Sequence, residues 1–515
     1  MQWRRILAHL RLYKTDVMPS NMNLTIFGKN FSSFSIGLIA ITLIGFVMRV
    51  LGARHELWLD EIWTLRLLDN ISSWHEIFWN IPYNNNHPLN SLWLWYVGKD
   101  AHPILQRLAS ILLGTATIPI VALSIRRHAS EAAGVAAALI FACGHIFVHF
   151  GSEARGYAGL VLMTVLCADA ADRLIAQPQR RALAFRFALF AALGSFFHLT
   201  MIVSIGVIWM AATAIVLTSQ ARIHDKWLAI HALTIASMEG VLPAIASIGI
   251  AGHLNGYLFI GDQQPFSFIH LAEGLAGAAR STLGLSAALP DVPTLLIVAG
   301  LAIPALFVST PRMRAISAVA IFLLPALESW WQPANLYYPR FHLPAAVFLA
   351  LLASVGLGAL WDCGGWRKLL AAMLALAGLL GHATFISDLF LSGRGAYEAA
   401  VMKMLKDGPA SFDGNFHFET GLVVQFHVAR LGKVGPALAL VDWKCGTEPT
   451  WYVVTQSPDK AVPLAEEMQF GPESCPARFQ LVEHYPSARL SGYNWSLYRH
   501  SPQTSSRLDQ GLISN

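Results

Sequence analysis

Apolar runs of about 20 residues, each long enough to cross a bilayer as a helix, recur through the first three quarters of this chain. Little else is open to such a sequence. Hydrophobic residues make up 55% of it and charged residues 13%, with a mean hydropathy of +0.49. A soluble globular protein carries charge on about a quarter of its residues. The pattern predicts a polytopic α-helical membrane protein. It places helices at 34–52, 104–125, 131–150, 157–175, 183–199, 201–218, 228–250, 292–309, 315–331, 341–360 and 369–388. The net charge of +5 does not point to nucleic acid, because the basic residues lie in short loops between apolar runs.

Those loops fix an orientation. With the N-terminus inside, seventeen Lys and Arg fall on the inner side and eight on the outer side before residue 389. That is the asymmetry expected of cytoplasmic loops. Residues 1–32 read as a cytosolic basic arm with Arg4, Arg5, Arg11, Lys14 and Lys29, and no cleavage site marks a signal peptide. Residues 33–388 read as the membrane domain, with outer segments at 54–103 and 251–291. The second of these is glycine-rich and long for a connection, which predicts a functional or mobile loop. Residues 389–500 alternate polar and apolar, with β-like runs at 450–455, 478–484 and 495–499. They predict a small extracytoplasmic α/β domain, followed by a disordered tail over 501–515. Cys445 and Cys475 both fall in that domain and could pair in an oxidising compartment. Two free thiols are the equal alternative.

The outer segments collect the residues able to do chemistry. The first contains Asp60 and Glu61 among Trp58, Trp63 and Trp74, and ends on His87-Pro88 before a re-entrant helix over 89–96. One carboxylate can take a proton from an acceptor hydroxyl while the other holds a metal or orients the first. An acidic pair solvated at a helix end is the plainer reading of Asp-Glu alone. Ser152-Glu153-Ala154-Arg155-Gly156-Tyr157 lies in a tight turn on the same side. Arg155 suits a phosphate; a local ion pair is the alternative. Tyr337-Tyr338-Pro339-Arg340-Phe341 brings a second cation to that compartment, unless Arg340 snorkels to headgroups. His87 could bind a metal, donate to a phosphate or cap its helix. His145 and His149 have ligand spacing without a third ligand, so packing explains them better. Glu239, mid-span, is a functional candidate as a buried membrane carboxylate, and reads more readily as a neutral acid hydrogen-bonded to a neighbouring helix. Glu328 lies near the outer surface and could line the same cavity.

Taken together, the Asp-Glu pair after the first span, His-Pro later in that loop, the Ser-Glu-Ala-Arg-Gly-Tyr turn and the Pro-Arg-Phe-His-Leu-Pro entry to a late helix resemble the GT-C glycosyltransferases. The similarity is greatest to the bacterial group related to protein O-mannosyltransferases and the lipid A aminoarabinose transferase, and spans roughly residues 34–390. It implies inverting transfer of a sugar from a polyprenyl-phosphate donor, at the periplasmic face of a bacterial inner membrane, to a lipid, glycan or protein acceptor. Asp60 would be the general base, with Glu61 and Glu153 as catalytic neighbours. Arg155 and Arg340 would hold the lipid phosphate, supported by Tyr157, His87 and Tyr338. Tyr-Asn-Asn-Asn precedes His87 where relatives often carry an acid or a further proline, so a metal at His87 and dependence on a divalent ion stay open. Two other classes fit the composition: a flippase for the same lipid, and a non-catalytic subunit of envelope polysaccharide assembly.

Overall fold

A computed structural model of the chain describes residues 24–26, 29–261, 263–432 and 438–501. Most of the basic arm and nearly all of the expected tail lie outside the described residues. A short antiparallel pair, β1 (Leu24–Ile26) and β2 (Lys29–Phe31), leads into the membrane domain.

Helix forms at all eleven expected spans. They are α1 (Ser33–Gly52), α4 (Leu108–His128), α5 and α6 (Glu131–Cys143 and His145–Phe150, broken at Gly144), α7 (Tyr157–Ala176), α8 (Arg181–Phe197), α9 (Met201–Thr218), α10 (Ile223–Asn255), α12 (Asp291–Val308), α13 (Pro311–Trp331, with a π-helical turn at Val319–Leu323), α14 (Leu343–Asp362) and α15 (Gly365–Ser392). The segments 54–103 and 251–291 contribute α2 (Leu59–Leu68), α3 (Pro88–Val97) and α11 (Phe268–Leu283). Eight of the eleven are long and apolar enough to cross a membrane by themselves; the helices at 131–143, 157–176 and 181–197 fall short in length or carry too much charge. The chain is a multi-pass membrane protein.

The bundle is organised around α14, whose first half from Leu343 to Leu352 is buried throughout. The outer helices expose apolar side chains instead: Leu43 and Val47 on α1, Leu296 and Phe307 on α12, and Leu376 and Leu380 on α15. Surface of that kind is normal where lipid is the solvent. Helix α1 seals a cation inside the bundle. Arg49 of α1 is 1% exposed and donates to the carbonyls of Gly45 and Phe141, each at 2.8 Å. Gly114 and Gly151 make room for it, since a Cβ at either would meet the Arg49 Nε.

Two expectations need correction. The segment 251–291 is not a long loop, because α11 occupies 16 of its residues. Its glycines serve close packing: a Cβ on Gly274 would collide with the Leu336 carbonyl and the His342 ring. Glu239 is not buried against a neighbouring helix; it is exposed on α10, beside exposed Met238 and close to exposed Leu242.

The C-terminal part carries α16 (Tyr397–Leu405), α17 (His417–Arg430) and a six-stranded sheet of order β4-β3-β5-β8-β7-β6. Its strands are β3 (Ala410–Gly414), β4 (Leu438–Leu440), β5 (Trp451–Gln456), β6 (Glu467–Phe470), β7 (Ala477–Tyr485) and β8 (Asn494–His500). The three β-like runs of the sequence are β5, β7 and β8. Strands β4, β3 and β5 pair in parallel, the others antiparallel. Cys445 and Cys475 are disulfide-bonded. The sheet is not an independent lobe. Phe412, Val424, Val453 and Leu497 share one buried cluster with Leu57, Trp58, Ile62 and Leu65 of the segment 54–103. That shared core sets α2 against the sheet, and with it Asp60.

Candidate active site

Helix α2 begins at Leu59, so Asp60 and Glu61 both lie in its first turn, where negative charge is favoured by the helix dipole. Adjacent residues on a helix point about 100° apart and do not face one another. The two acids therefore have separate environments. Glu61 is fully buried. Its carboxylate accepts from Arg107 Nε at 2.8 Å and Nη2 at 2.6 Å, from the Ala154 amide at 2.6 Å and from the Trp58 amide at 3.1 Å. Burial opposes its ionisation, but the Arg107 pair outweighs that and holds the pKa below the usual carboxylate range. Arg107 also donates to the carbonyls of Ala53 and Glu56, fixing the turn before α2.

Asp60 faces the other way, into a cavity of about 940 Å³. Its Oδ2 accepts from Arg155 Nη1 and from Arg340 Nη1, the latter at 3.3 Å. Two guanidiniums thus converge on one partly exposed carboxylate from segments far apart in sequence. Arg340 is 4.4 Å from the Tyr338 ring centroid, and Arg155 is 5.2 Å from that of Tyr157. Arg155 also donates to Asn85 Oδ1 at 2.6 Å and to His87 Nε2 at 2.9 and 3.2 Å. The His87 Nε2 lone pair is therefore occupied, which assigns the ring proton to Nδ1. Burial and then the neighbouring His198 and arginines hold the His87 pKa well below its ordinary value. His87 stacks on His198 at 4.5 Å and serves as a neutral acceptor.

Glu153 lies behind the cavity wall. It is fully buried, accepts from Trp58 Nε1 and Ser491 Oγ, each at 3.1 Å, and lies 3.8 Å from Arg394 and 4.0 Å from Arg155. Burial raises its pKa, against the pull of Arg394 and Arg155. Arg394 in turn donates to the carbonyls of Gly52 and His149. Glu153 thus joins the loop before Asp60, the Arg155 turn and the C-terminal domain.

Of the residues expected at the site, Asp60, His87, Arg155, Tyr157, Tyr338 and Arg340 line the cavity, while Glu61 and Glu153 do not. Glu328 does not line it either; it is buried 3.8 Å from His342. His149 bonds to Ser491 and lies 3.9 Å from Glu153, in keeping with packing. Among the described residues no three His, Cys, Asp or Glu side chains are grouped to share a metal.

Sequence reasoning missed Arg107, Arg394, Asn85, His198, Ser491 and Tyr493. The three asparagines before His87 carried a signal that was readable only as a departure from relatives. Asn84 Oδ1 accepts from the Gly261 amide, Asn85 binds Arg155, and Asn86 donates to the Ile77 carbonyl.

A pH dependence follows from the junction between the segment 54–103 and the C-terminal domain. Glu56 accepts from the Glu398 amide at 2.7 Å, and burial pushes its pKa from 4.5 up to about 7. An acid whose folded pKa lies above its unfolded one binds more protons when folded. It therefore costs stability progressively as pH rises from about 4.5 to about 7. The thermal midpoint in detergent should fall between about pH 5.5 and about pH 8, and Glu56→Gln should flatten that slope. Parallel pH profiles for wild type and variant would refute the assignment.

No protein-family model and no curated protein matches the chain. Among solved structures, ArnT from Cupriavidus metallidurans in the apo state is similar at a TM-score of 0.50 and 14% identity, over 82% of this chain and 93% of that one. The same protein bound to undecaprenyl phosphate gives 0.50 at 15% identity, over 90% and 97%. The mycobacterial arabinofuranosyltransferase AftD gives 0.47 at 13% identity, over 90% of this chain and 39% of that one. The architecture is the GT-C fold, a helical membrane bundle with a small C-terminal sheet domain.

Proposed function

We propose that the chain is an inverting glycosyltransferase that moves a sugar from a polyprenyl-phosphate donor to an acceptor hydroxyl. The observation that carries this reading is the convergence of Arg155 and Arg340 on Asp60 at the cavity wall. Two fixed guanidiniums with one shared carboxylate can exchange that carboxylate for a phosphate. The donor phosphate would take both arginines and release Asp60. Asp60 would then accept the acceptor's proton as its oxygen bonds to the anomeric carbon. The bond from that carbon to the phosphate oxygen breaks on the opposite face, and its electron pair leaves on the lipid phosphate. The arginines stabilise that charge as it develops. Glu61 and Glu153 act as positioning residues, through Arg107, Trp58 and Arg155. ArnT, a protein of this fold, has been solved with undecaprenyl phosphate bound, which supports a lipid phosphate as leaving group. No nucleotide cradle is required.

The basic inner loops support a cytoplasmic N-terminus and a periplasmic site, in a bacterial inner membrane. The donor would enter from the bilayer, and the acceptor is a lipid, glycan or protein. We divide the chain into the arm to residue 32, a catalytic membrane domain over 33–388, a periplasmic domain over 389–500 and the tail. The direct experiment supplies membranes with radiolabelled polyprenyl-phosphate sugars and follows the label. Transfer to a macromolecular product, inhibited by unlabelled undecaprenyl phosphate, is the expected result. Label that crosses the bilayer without transfer would replace the enzyme by a flippase.

A further inference from the structure

The cavity has a second wall, built by the carboxyl ends of parallel strands. Strand β3 is flanked by β4 on one side and β5 on the other. The chain leaves β3 through α17 to reach β4 and then crosses back to β5. The strand order therefore reverses at β3, and the crevice outside the carboxyl ends at such a reversal is where open parallel sheets bind ligands. Here that crevice opens into the cavity that holds Asp60: Phe418, Glu419 and Thr420 after β3, Thr455 at the end of β5 and Tyr493 before β8 all line it.

Two further observations point to a ligand. The hydroxyls of Thr420 and Thr455 are buried, in residues 1% and 5% exposed, and neither has a hydrogen-bond partner. A buried hydroxyl without a partner forfeits a hydrogen bond, so a ligand toward which the side chain can turn is favoured. Beside them Phe418 is 58% exposed, with its ring edge-on to Trp63 at 5.5 Å. Aromatic faces, unpaired hydroxyls and a carboxylate together match a sugar ring, which has apolar C–H faces and a rim of donors and acceptors.

We infer that this wall is a subsite for a sugar ring of the acceptor, packed against Trp63, Phe418 and Tyr493 and hydrogen-bonded by Thr420, Thr455 and Glu419. The inference rests on the transferase reading and names its acceptor class as a glycan or glycolipid. The ring belongs to the acceptor because of its distance from the base. Trp63 follows Asp60 by about one turn of α2, a rise of about 5 Å. A ring against Trp63 therefore presents a hydroxyl to Asp60, whereas the donor's phosphate occupies Arg155 and Arg340. Tyr493 lines the same cavity, where burial raises the pKa of its phenol and the charge of Asp60 adds to the effect.

The test is saturation-transfer NMR on the full-length chain with methyl mannopyranoside, glucopyranoside and galactopyranoside, in an amine-oxide detergent because maltosides would compete. At least one glycoside should receive saturation at its ring protons. The signal should fall by about threefold or more in Phe418→Ala and in the shape-conserving Thr455→Val, while undecaprenyl phosphate still binds. It should also persist when undecaprenyl phosphate is saturating. No signal in the wild type, or equal signals in both variants, would overturn the subsite. Loss of signal on adding undecaprenyl phosphate would place the ring in the donor site and overturn the acceptor assignment. If Phe418→Ala loses lipid binding as well, Thr455→Val decides. Failure of the transferase reading is separable, since it appears as unaltered transfer by Asp60→Asn and leaves the glycoside signals in place.

Discussion

Asp60→Asn should lower sugar transfer by about 10²- to 10⁴-fold, the range for removal of a general base, while undecaprenyl phosphate binds more tightly. The opposite signs come from one feature. In the free protein the Asp60 carboxylate occupies Arg155 and Arg340, so a phosphate must displace it. Asparagine is close in size but cannot take the acceptor's proton, and it competes weakly for guanidinium because it is neutral. Binding and turnover should therefore part company, which general damage to the fold would not produce. The measurement pairs transfer in membranes, at matched expression, with equilibrium binding of the lipid to purified protein. Equal transfer by variant and wild type would remove Asp60 from the chemistry. Loss of lipid binding would assign it to holding the arginines in place.

Arg107→Leu should be the most destabilising single change at the site. Arg107 and Glu61 both have fully buried side chains and share two short hydrogen bonds. Removing the arginine leaves an uncompensated carboxylate away from water, at a cost of about 3–5 kcal/mol. It also releases the Ala53 and Glu56 carbonyls that Arg107 holds, and so loosens the turn before Asp60. A lowered unfolding temperature in detergent is expected, together with reduced transfer. Glu61→Leu in the Arg107→Leu background should restore much of the stability, because a buried apolar pair needs no charge compensation. Transfer should stay low, since Glu61 also ties α2 to the Ala154 amide beside Arg155. An unchanged unfolding temperature in Arg107→Leu would show that water reaches Glu61.

Several features of the fold are legible in the sequence. Apolar runs mark bilayer crossings by length, because a helix rises 1.5 Å per residue and the hydrocarbon core is about 30 Å thick. Helix occurs at all eleven expected segments, although three of them are too short or too polar to cross by themselves. The strands β5, β7 and β8 were visible as β-like runs. Errors arose where identity misleads about environment. Glycines at 274 and 277 suggested a loose loop, but they let α11 pack closely. Glu239 suggested a buried acid, and it faces outward.

The sequence by itself determined that the chain spans a membrane, where its long apolar helices lie, and that acids, arginines and tryptophans gather in a few of the segments between them. These are local properties, set by transfer free energy and helix rise along consecutive residues. Only the tertiary structure decided which of two adjacent acids faces the cavity. It alone brought Arg155 and Arg340 onto Asp60 across 95 and 280 positions, and Ser491 onto Glu153 across 338. The physical reason is that a side chain's role is set by what surrounds it. For Asp60, Glu61 and Glu153 those surroundings come from helices and strands far away in the chain, so no stretch of sequence around them contains the answer.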